Sequence, residues 1–305
     1  MSVLELNHVS KRFGEQEVIK ELTFSVKEHS VFGFIGKNGA GKTTTMKMIL
    51  GFLQPDKGEI QVCSEKVVYG RNQTNRYIGY LPDVPEYYSY MTPKEYLRLC
   101  GEITGIGKEH RKERSKELLS LVGLDGVNKR IGGFSRGMKQ RLGIAQALLN
   151  EPRVLICDEP TSALDPVGRK DILDILSYAK EKTTIVFSTH ILSDVERICD
   201  NIGILSDGKL VLEGPVNEIK NNYRTDSVLI EIPSGVNIDD IVANLKKLSV
   251  VQSVSVKQNQ IVAVLSDADQ DGLQIMAYLV SEQIPVLRYE ILEPDLENVF
   301  LEVIK

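Results

Sequence analysis

Residues 36–43 read Gly-Lys-Asn-Gly-Ala-Gly-Lys-Thr, and no other stretch narrows the fold so far. The spacing G-x-x-x-x-G-K-[ST] follows the apolar run SVFGFIG, short enough for a buried strand, and precedes a segment expected to be helical over 43–53. Strand, glycine-rich turn and helix in that order form a phosphate loop. Its glycines let the main chain wrap phosphate oxygens closely, and successive N–H groups with the helix N-terminus hold the anion. Lys42 is expected to neutralise the β and γ phosphates and Thr43 to offer its hydroxyl to magnesium. Gly36, Asn38, Gly39, Ala40, Gly41 and Thr44 complete the expected nucleotide contacts.

The other half of this chemistry lies in VLICDEPT, residues 154–161. Four apolar residues predict a buried strand that delivers Asp158 at its carboxyl end beside the phosphate loop, where a carboxylate holds magnesium directly or through water. Glu159 is then available to orient and deprotonate an attacking water. Helix (Pro166 to about Lys180) and strand (Thr183 to Phe187) follow, an alternation that predicts an α/β chain with a parallel sheet covered by helices.

Ahead of the phosphate loop, VLELNHVSKRF and LTFSV read as further strands. From Asp83 to about Leu121 helical periodicity takes over, with TPKEYLRL opening on Thr92 as N-cap and Pro93 in the first turn. Met138, Leu142, Ala145 and Leu149 fall on one face of a helix over 136–149 that Pro152 stops. ILSDGKLVLEG reads as a hairpin turning at Asp207-Gly208. Beyond residue 226, SVLIEI, IDDIVANLKKL, VQSVSV, IVAVLS and GLQIMAYLVSEQ alternate strand and helix as a small α+β appendage with no phosphate loop, metal cluster or nucleophile pattern.

Charge separates the two parts. Residues 226–305 carry thirteen acids against five bases, residues 1–225 carry 29 against 32, and a boundary is expected near Asn222 to Asp226. The net charge of −5 provides no overall basic field for nucleic acid or an anionic membrane surface, so a local patch would have to act alone. Cys63, Cys100, Cys157 and Cys199 are dispersed without a Cys-x-x-Cys pair, which suggests neither disulfides nor zinc and fits a reducing cytoplasm. No apolar run approaches the roughly 18 residues of a membrane helix, and a soluble chain able to dock on a membrane protein is expected.

FSRGMKQR, residues 134–141, carries three cations just upstream of the acidic strand. It resembles the signature motif, usually written LSGGQ, of ATP-binding cassette (ABC) ATPases, and the resemblance extends over essentially all of residues 1–225. The resemblance implies that Ser135 caps a helix. Its hydroxyl, the N–H of Gly137 and the helix dipole would together bind the γ-phosphate of an ATP held by a second subunit, so that two molecules sandwich two nucleotides. The cations then belong to an anion site and a solvated helix face, and nucleic acid is not an expected partner. The same resemblance implies that Phe13 stacks on adenine and that His190, after TTIVFST, hydrogen-bonds the γ-phosphate. Ser162-Ala163-Leu164-Asp165 would communicate between the two ATP sites, with Asp165 also starting a helix. Phe134, Arg136 and Met138 depart from the usual Leu, first Gly and Gln. Asp83 in IGYLPD stands where the family has Gln or sometimes Glu, a residue that links the magnesium site to the membrane subunit, and with Thr43 and Asp158 it completes the expected metal site.

As a whole the resemblance implies an ABC ATPase domain over 1–222, with a β-subdomain, a RecA-like parallel sheet and a helical insertion at about 83–150, followed by an accessory α+β domain over 223–305. The tail EPDLENVFLEVIK and the appendage before it resemble ATPase subunits of ABC-2 type exporters of drugs, antibiotics or peptides. Implied with them are ATP and Mg2+, Lys42, Glu159 and His190 as catalytic residues, and a homodimer or a heterodimer with a paralogue. Separate membrane-spanning permease subunits and a cytoplasmic position on the inner face of the membrane are implied as well. Two rival readings share the core motifs. An ABC ATPase acting on ribosomes or DNA usually has two cassettes in one chain or a long coiled-coil insertion, whereas this sequence has one phosphate loop and no sustained heptads. A regulatory module that binds ATP without turnover is opposed by the intact Lys42, Asp158, Glu159 and His190.

Overall fold

The computed structural model describes residues 1–71, 73–223, 226–292 and 296–304. Arg224 and Thr225 of the expected boundary, and residues 293–295 and 305 of the carboxyl-terminal motif, lie outside the described residues. Two compact units form, one from Met1–Val216 with the chain's end from Phe300, the other from Asn217–Val299.

The larger unit is built on two sheets. β1 (Ser2–Phe13) and β2 (Gln16–Lys27) pair antiparallel, and β4 (Lys57–Val62) and β5 (Glu65–Lys66) extend them in the order β2-β1-β4-β5. β3 (Val31–Ile35), which leads into α1 (Lys42–Ile49), belongs to the second sheet with β6 (Ile78–Leu81), β7 (Val154–Asp158), β8 (Thr184–Thr189), β9 (Asn201–Ser206) and β10 (Lys209–Pro215). The order is β10-β9-β3-β8-β7-β6, parallel throughout except for the β9–β10 hairpin. Every residue of β3, β7 and β8 is buried, because a parallel strand is covered on both faces, and this explains the continuous apolar stretches VFGFI, VLIC and IVF within them. Phe24 on β2 stacks on Phe32 and Phe34 of β3 at 5.2 and 5.5 Å, so the core runs continuously from one sheet to the other.

α1 stops at Ile49, short of the expected residue 53, because Gly51 takes a left-handed conformation (φ 71). The N–H of Phe52 then bonds back to Lys47 O at 2.9 Å and satisfies the end of the helix. Between β6 and β7 the helical insertion supplies α2 (Pro93–Ile103), α3 (Lys108–Leu121) and α4 (Arg136–Ala147). α2 opens as expected on Thr92, in a reciprocal capping box with Glu95. α4 ends two residues before its apolar periodicity does, and Leu148 and Leu149 stay buried outside it. α5 (Pro166–Ala179) and α6 (Leu192–Ile198) complete the alternation, and α7 (Val216–Asn222) follows β10.

The hairpin turns at Asp207 (φ 47) and Gly208 (φ 77), the positive pair that a two-residue loop between twisted strands demands. A Cβ on Gly208 would also stand 2.3 Å from Val18 O. Gly208→Ala is therefore expected to cost at least about 2 kcal/mol, the left-handed penalty plus a collision with main chain. The midpoint of urea unfolding reads the loss directly.

The smaller unit carries β11 (Ser227–Glu231), α8 (Ile238–Leu245), β12 (Val251–Lys257), β13 (Gln260–Leu265), α9 (Ala268–Ser281) and β14 (Arg288–Leu292). Its sheet is antiparallel, ordered β12-β13-β11-β14, over a core that includes Val228, Ile230, Ile261, Ile275 and Leu279. Sequence periodicity does not pick out β14, an edge strand whose residues are all partly or fully exposed. α10 (Leu296–Val303) ends the chain's regular structure.

Candidate active site

The phosphate loop begins where β3 ends. A Cβ on Gly36 would lie 2.7 Å from Leu205 O, so only glycine lets the loop pass so close to β9. Gly39 (φ 85) and Gly41 (φ 110) take backbone conformations closed to most side chains, and at Gly41 a Cβ would also strike Ile19 Cδ1 at 2.4 Å. Lys37, Asn38 and Gly39 are exposed, Ala40 is buried, and Thr44 is half-buried on α1.

Lys42 is only 6 % exposed. Its Nζ donates to Gly36 O at 2.6 Å and lies 3.1 Å from Glu159 Oε1. Glu159 Oε2 is 2.9 Å from His190 Nδ1, so one carboxylate bridges the loop lysine and the histidine that follows β8. The backbone of Glu159 is itself constrained. Its φ is 49, a left-handed conformation for a non-glycine residue, and its N–H donates to Ser188 O and to Ser188 Oγ, both at 3.1 Å.

Alongside, Thr43 Oγ1 donates to Asp158 Oδ2 at 2.9 Å and Ser188 Oγ donates to Asp158 Oδ1 at 2.6 Å. Sequence reasoning missed Ser188. The signal that finds it is strand register, since Asp158 stands opposite Ser188 across the parallel β7–β8 pair. Burial, and then the Asp158 charge, push the Tyr80 hydroxyl up to about 12, and the same two causes push the Cys157 thiol up, so both neighbours stay neutral. Thr43 and Asp158 offer hard oxygen donors, which fit magnesium: it takes one or two protein oxygens and completes its shell from phosphates and water.

Asp83 is held by a different set. Its Oδ1 accepts from Ser162 Oγ at 2.5 Å and from Arg136 Nη2 at 3.3 Å, and its main-chain O accepts from the buried Gln140 Nε2 at 2.7 Å. The two positions where the sequence departs most in charge from the ABC pattern, Asp83 and Arg136, thus meet as an ion pair. Ser135 caps α4, accepting from Met138 N at 3.2 Å, and Asp165 caps α5, accepting from Gly168 N at 3.1 Å. A Cβ on Gly137 would stand 3.9 Å from Leu164, so the start of α4 lies against the loop after β7. Phe13, 49 % exposed at the end of β1, has Lys11 Nζ 5.5 Å from its ring centroid. Thr161, Asp194 and Arg169 form another cluster that sequence reasoning left out: Asp194 accepts from Thr161 Oγ1 at 2.7 Å and from Arg169 at 2.6 Å, tying the loop after β7 to α6.

Residues 19–162 match the protein family described as ABC transporter, and residues 214–304 match the family described as ATP-binding protein DrrA1-3-like, C-terminal domain. The bacitracin transport ATP-binding protein BcrA of Bacillus licheniformis is 36% identical over 306 residues, which cover 99% of this chain and 97% of BcrA. A solved ATP-binding subunit of an ABC transporter superposes with a TM-score of 0.66 at 32% identity, over 80% of this chain and all of the other. The ATP-binding cassette MJ0796, solved as a dimer bound to ADP and Pi, superposes with a TM-score of 0.62 at 25% identity, over 70% of this chain and 98% of that one. Likeness that runs from the first sheet through the appended antiparallel one makes this chain a member of the ABC transporter ATP-binding subunits, the ATPases that power such transporters.

Proposed function

We propose that the site works between two cassettes, a homodimer or a heterodimer with a paralogue, and that its ATP cycle drives export through a separate membrane permease. The observation that carries this reading is the contact chain Lys42–Glu159–His190. Lys42 and the loop N–H groups from Gly36 to Thr44 bind the phosphates, and Phe13 offers its exposed ring to adenine. Glu159 takes the proton of the attacking water, and His190, engaged at Nδ1, orients that carboxylate and presents its ring to the γ-phosphate. Thr43 and Asp158 hold Mg2+, which when bound offsets phosphate charge, and Ser188 keeps Asp158 aimed. Ser135 and Gly137 serve the nucleotide of the opposite subunit, with Asp165 and its loop linking the two sites.

Asp83, fixed to Arg136 and Ser162, relays closure to the helical insertion, which grips the permease. Closure of the dimer on ATP, rather than a chemical push, biases the conformational equilibrium, and hydrolysis resets it. The DrrA-like appendage and the likeness to a bacitracin transport subunit support export. Among the described residues no helix is long and apolar enough to cross a membrane, which fits a peripheral position on the cytoplasmic face, reached through the partner. A pull-down from detergent-solubilised membranes with tagged Glu159→Gln protein in ATP is expected to recover a stoichiometric multi-span protein. Recovery of soluble machinery alone would overturn the transporter assignment.

A further inference from the structure

α2 and α3 of the helical insertion line a cavity of about 430 Å³ that shares no residue with the ATP chemistry. Lys94 and Arg98, one turn apart on α2, contribute to one wall. Lys108, Lys112 and Lys116, spaced by four, contribute from a single face of α3. Like charges one turn apart repel and weaken a helix, a cost that Glu109 and Glu113, three positions before Lys112 and Lys116 on α3, offset only in part. Asp125 is the one acid among the lining residues, and Glu102, outside the lining, engages Arg98 and Arg111 at 3.7 and 3.0 Å. The chain as a whole carries −5, so this concentration does not follow from a basic composition.

A further feature indicates what the cavity suits. The lining surface is mainly apolar although most of its residues are cationic, as the alkyl stems of long side chains and Leu119 allow. An amphiphilic anion would meet both features of the lining: its phosphate the ammonium groups and its glycerol carbons the stems. Inorganic phosphate would leave the stems uncovered.

We propose that this cavity binds the phosphate headgroup of an anionic phospholipid and gives the subunit a grip on the bilayer surface that does not depend on the permease. Juxtamembrane lysines contribute about 1 kcal/mol each toward an anionic surface, which is about a fivefold change in affinity per lysine.

The test is co-sedimentation of the full chain with protein-free vesicles of phosphatidylcholine, with and without phosphatidylglycerol. Binding is expected only with phosphatidylglycerol and should weaken as salt rises. The triple variant Lys94→Gln, Lys112→Gln, Lys116→Gln should lose roughly a hundredfold in vesicle affinity while ATP turnover stays at the wild-type rate. Equal binding to neutral vesicles, or a triple variant that binds like the wild type, would overturn the proposal. Displacement from vesicles by micromolar glycerol 3-phosphate would overturn the lipid source and assign the cavity to a soluble phosphate ester. Because the vesicles contain no protein, failure here leaves the transporter assignment untouched.

Discussion

Glu159→Gln is expected to lower ATP turnover by about 100- to 10,000-fold, the range that a positioned general base supplies, while ATP remains bound. The side chain of this residue is held between Lys42 at 3.1 Å and His190 at 2.9 Å, and its backbone is fixed separately by the two bonds from its N–H to Ser188. An amide of the same shape therefore occupies the same place, but it cannot accept a proton at neutral pH. Losing the carboxylate charge also removes the competitor for Lys42, so phosphate affinity should hold or rise. Phosphate release at saturating ATP, with nucleotide retention followed by gel filtration, measures both halves of the expectation. Wild-type turnover would remove Glu159 from the role of base.

Lys42→Ala should act in the opposite way, on binding. Lys42 is nearly buried and faces Glu159, itself only 13 % exposed. Truncation deletes the cation that matches the phosphates and leaves the Glu159 carboxylate uncompensated beside them. Truncating one partner of a buried charge pair at a binding interface costs about 2–5 kcal/mol, so ATP affinity should fall by at least roughly thirtyfold. Calorimetric titration with ATP checks this, and an unchanged Kd would contradict the proposed role of Lys42.

Much of the site is legible in the sequence because it is local. The glycines of the phosphate loop are fixed by backbone conformation and close approach within a few residues. The caps at Thr92, Ser135 and Asp165 each join a side chain to an N–H three positions on; spacing reveals the first, and for Ser135 the resemblance to the signature motif points to it. Asp158 and Glu159 are recognisable because an apolar strand must end where its first acid emerges. The end of α1 at Ile49 and the edge strand β14 were harder. A single glycine's switch to a left-handed conformation decided the first, and the half-exposed position of an edge strand, which leaves little apolar alternation, hid the second.

What only the tertiary structure decided is which distant side chains meet. Ser188 reaches Asp158 from 30 residues away because β8 lies beside β7 in register, and nothing around Ser188 in the sequence announces that. Arg136 and Asp83, 53 residues apart, read in sequence as two unrelated departures from a motif and in space as one ion pair. The lysines of α2 and α3 come to one cavity only because the two helices pack side by side. Backbone preference, capping and turn chemistry act over three or four residues and are written in the chain directly. Register and helix packing come from burying a shared core, so they bring together groups whose sequence neighbours carry no record of the meeting.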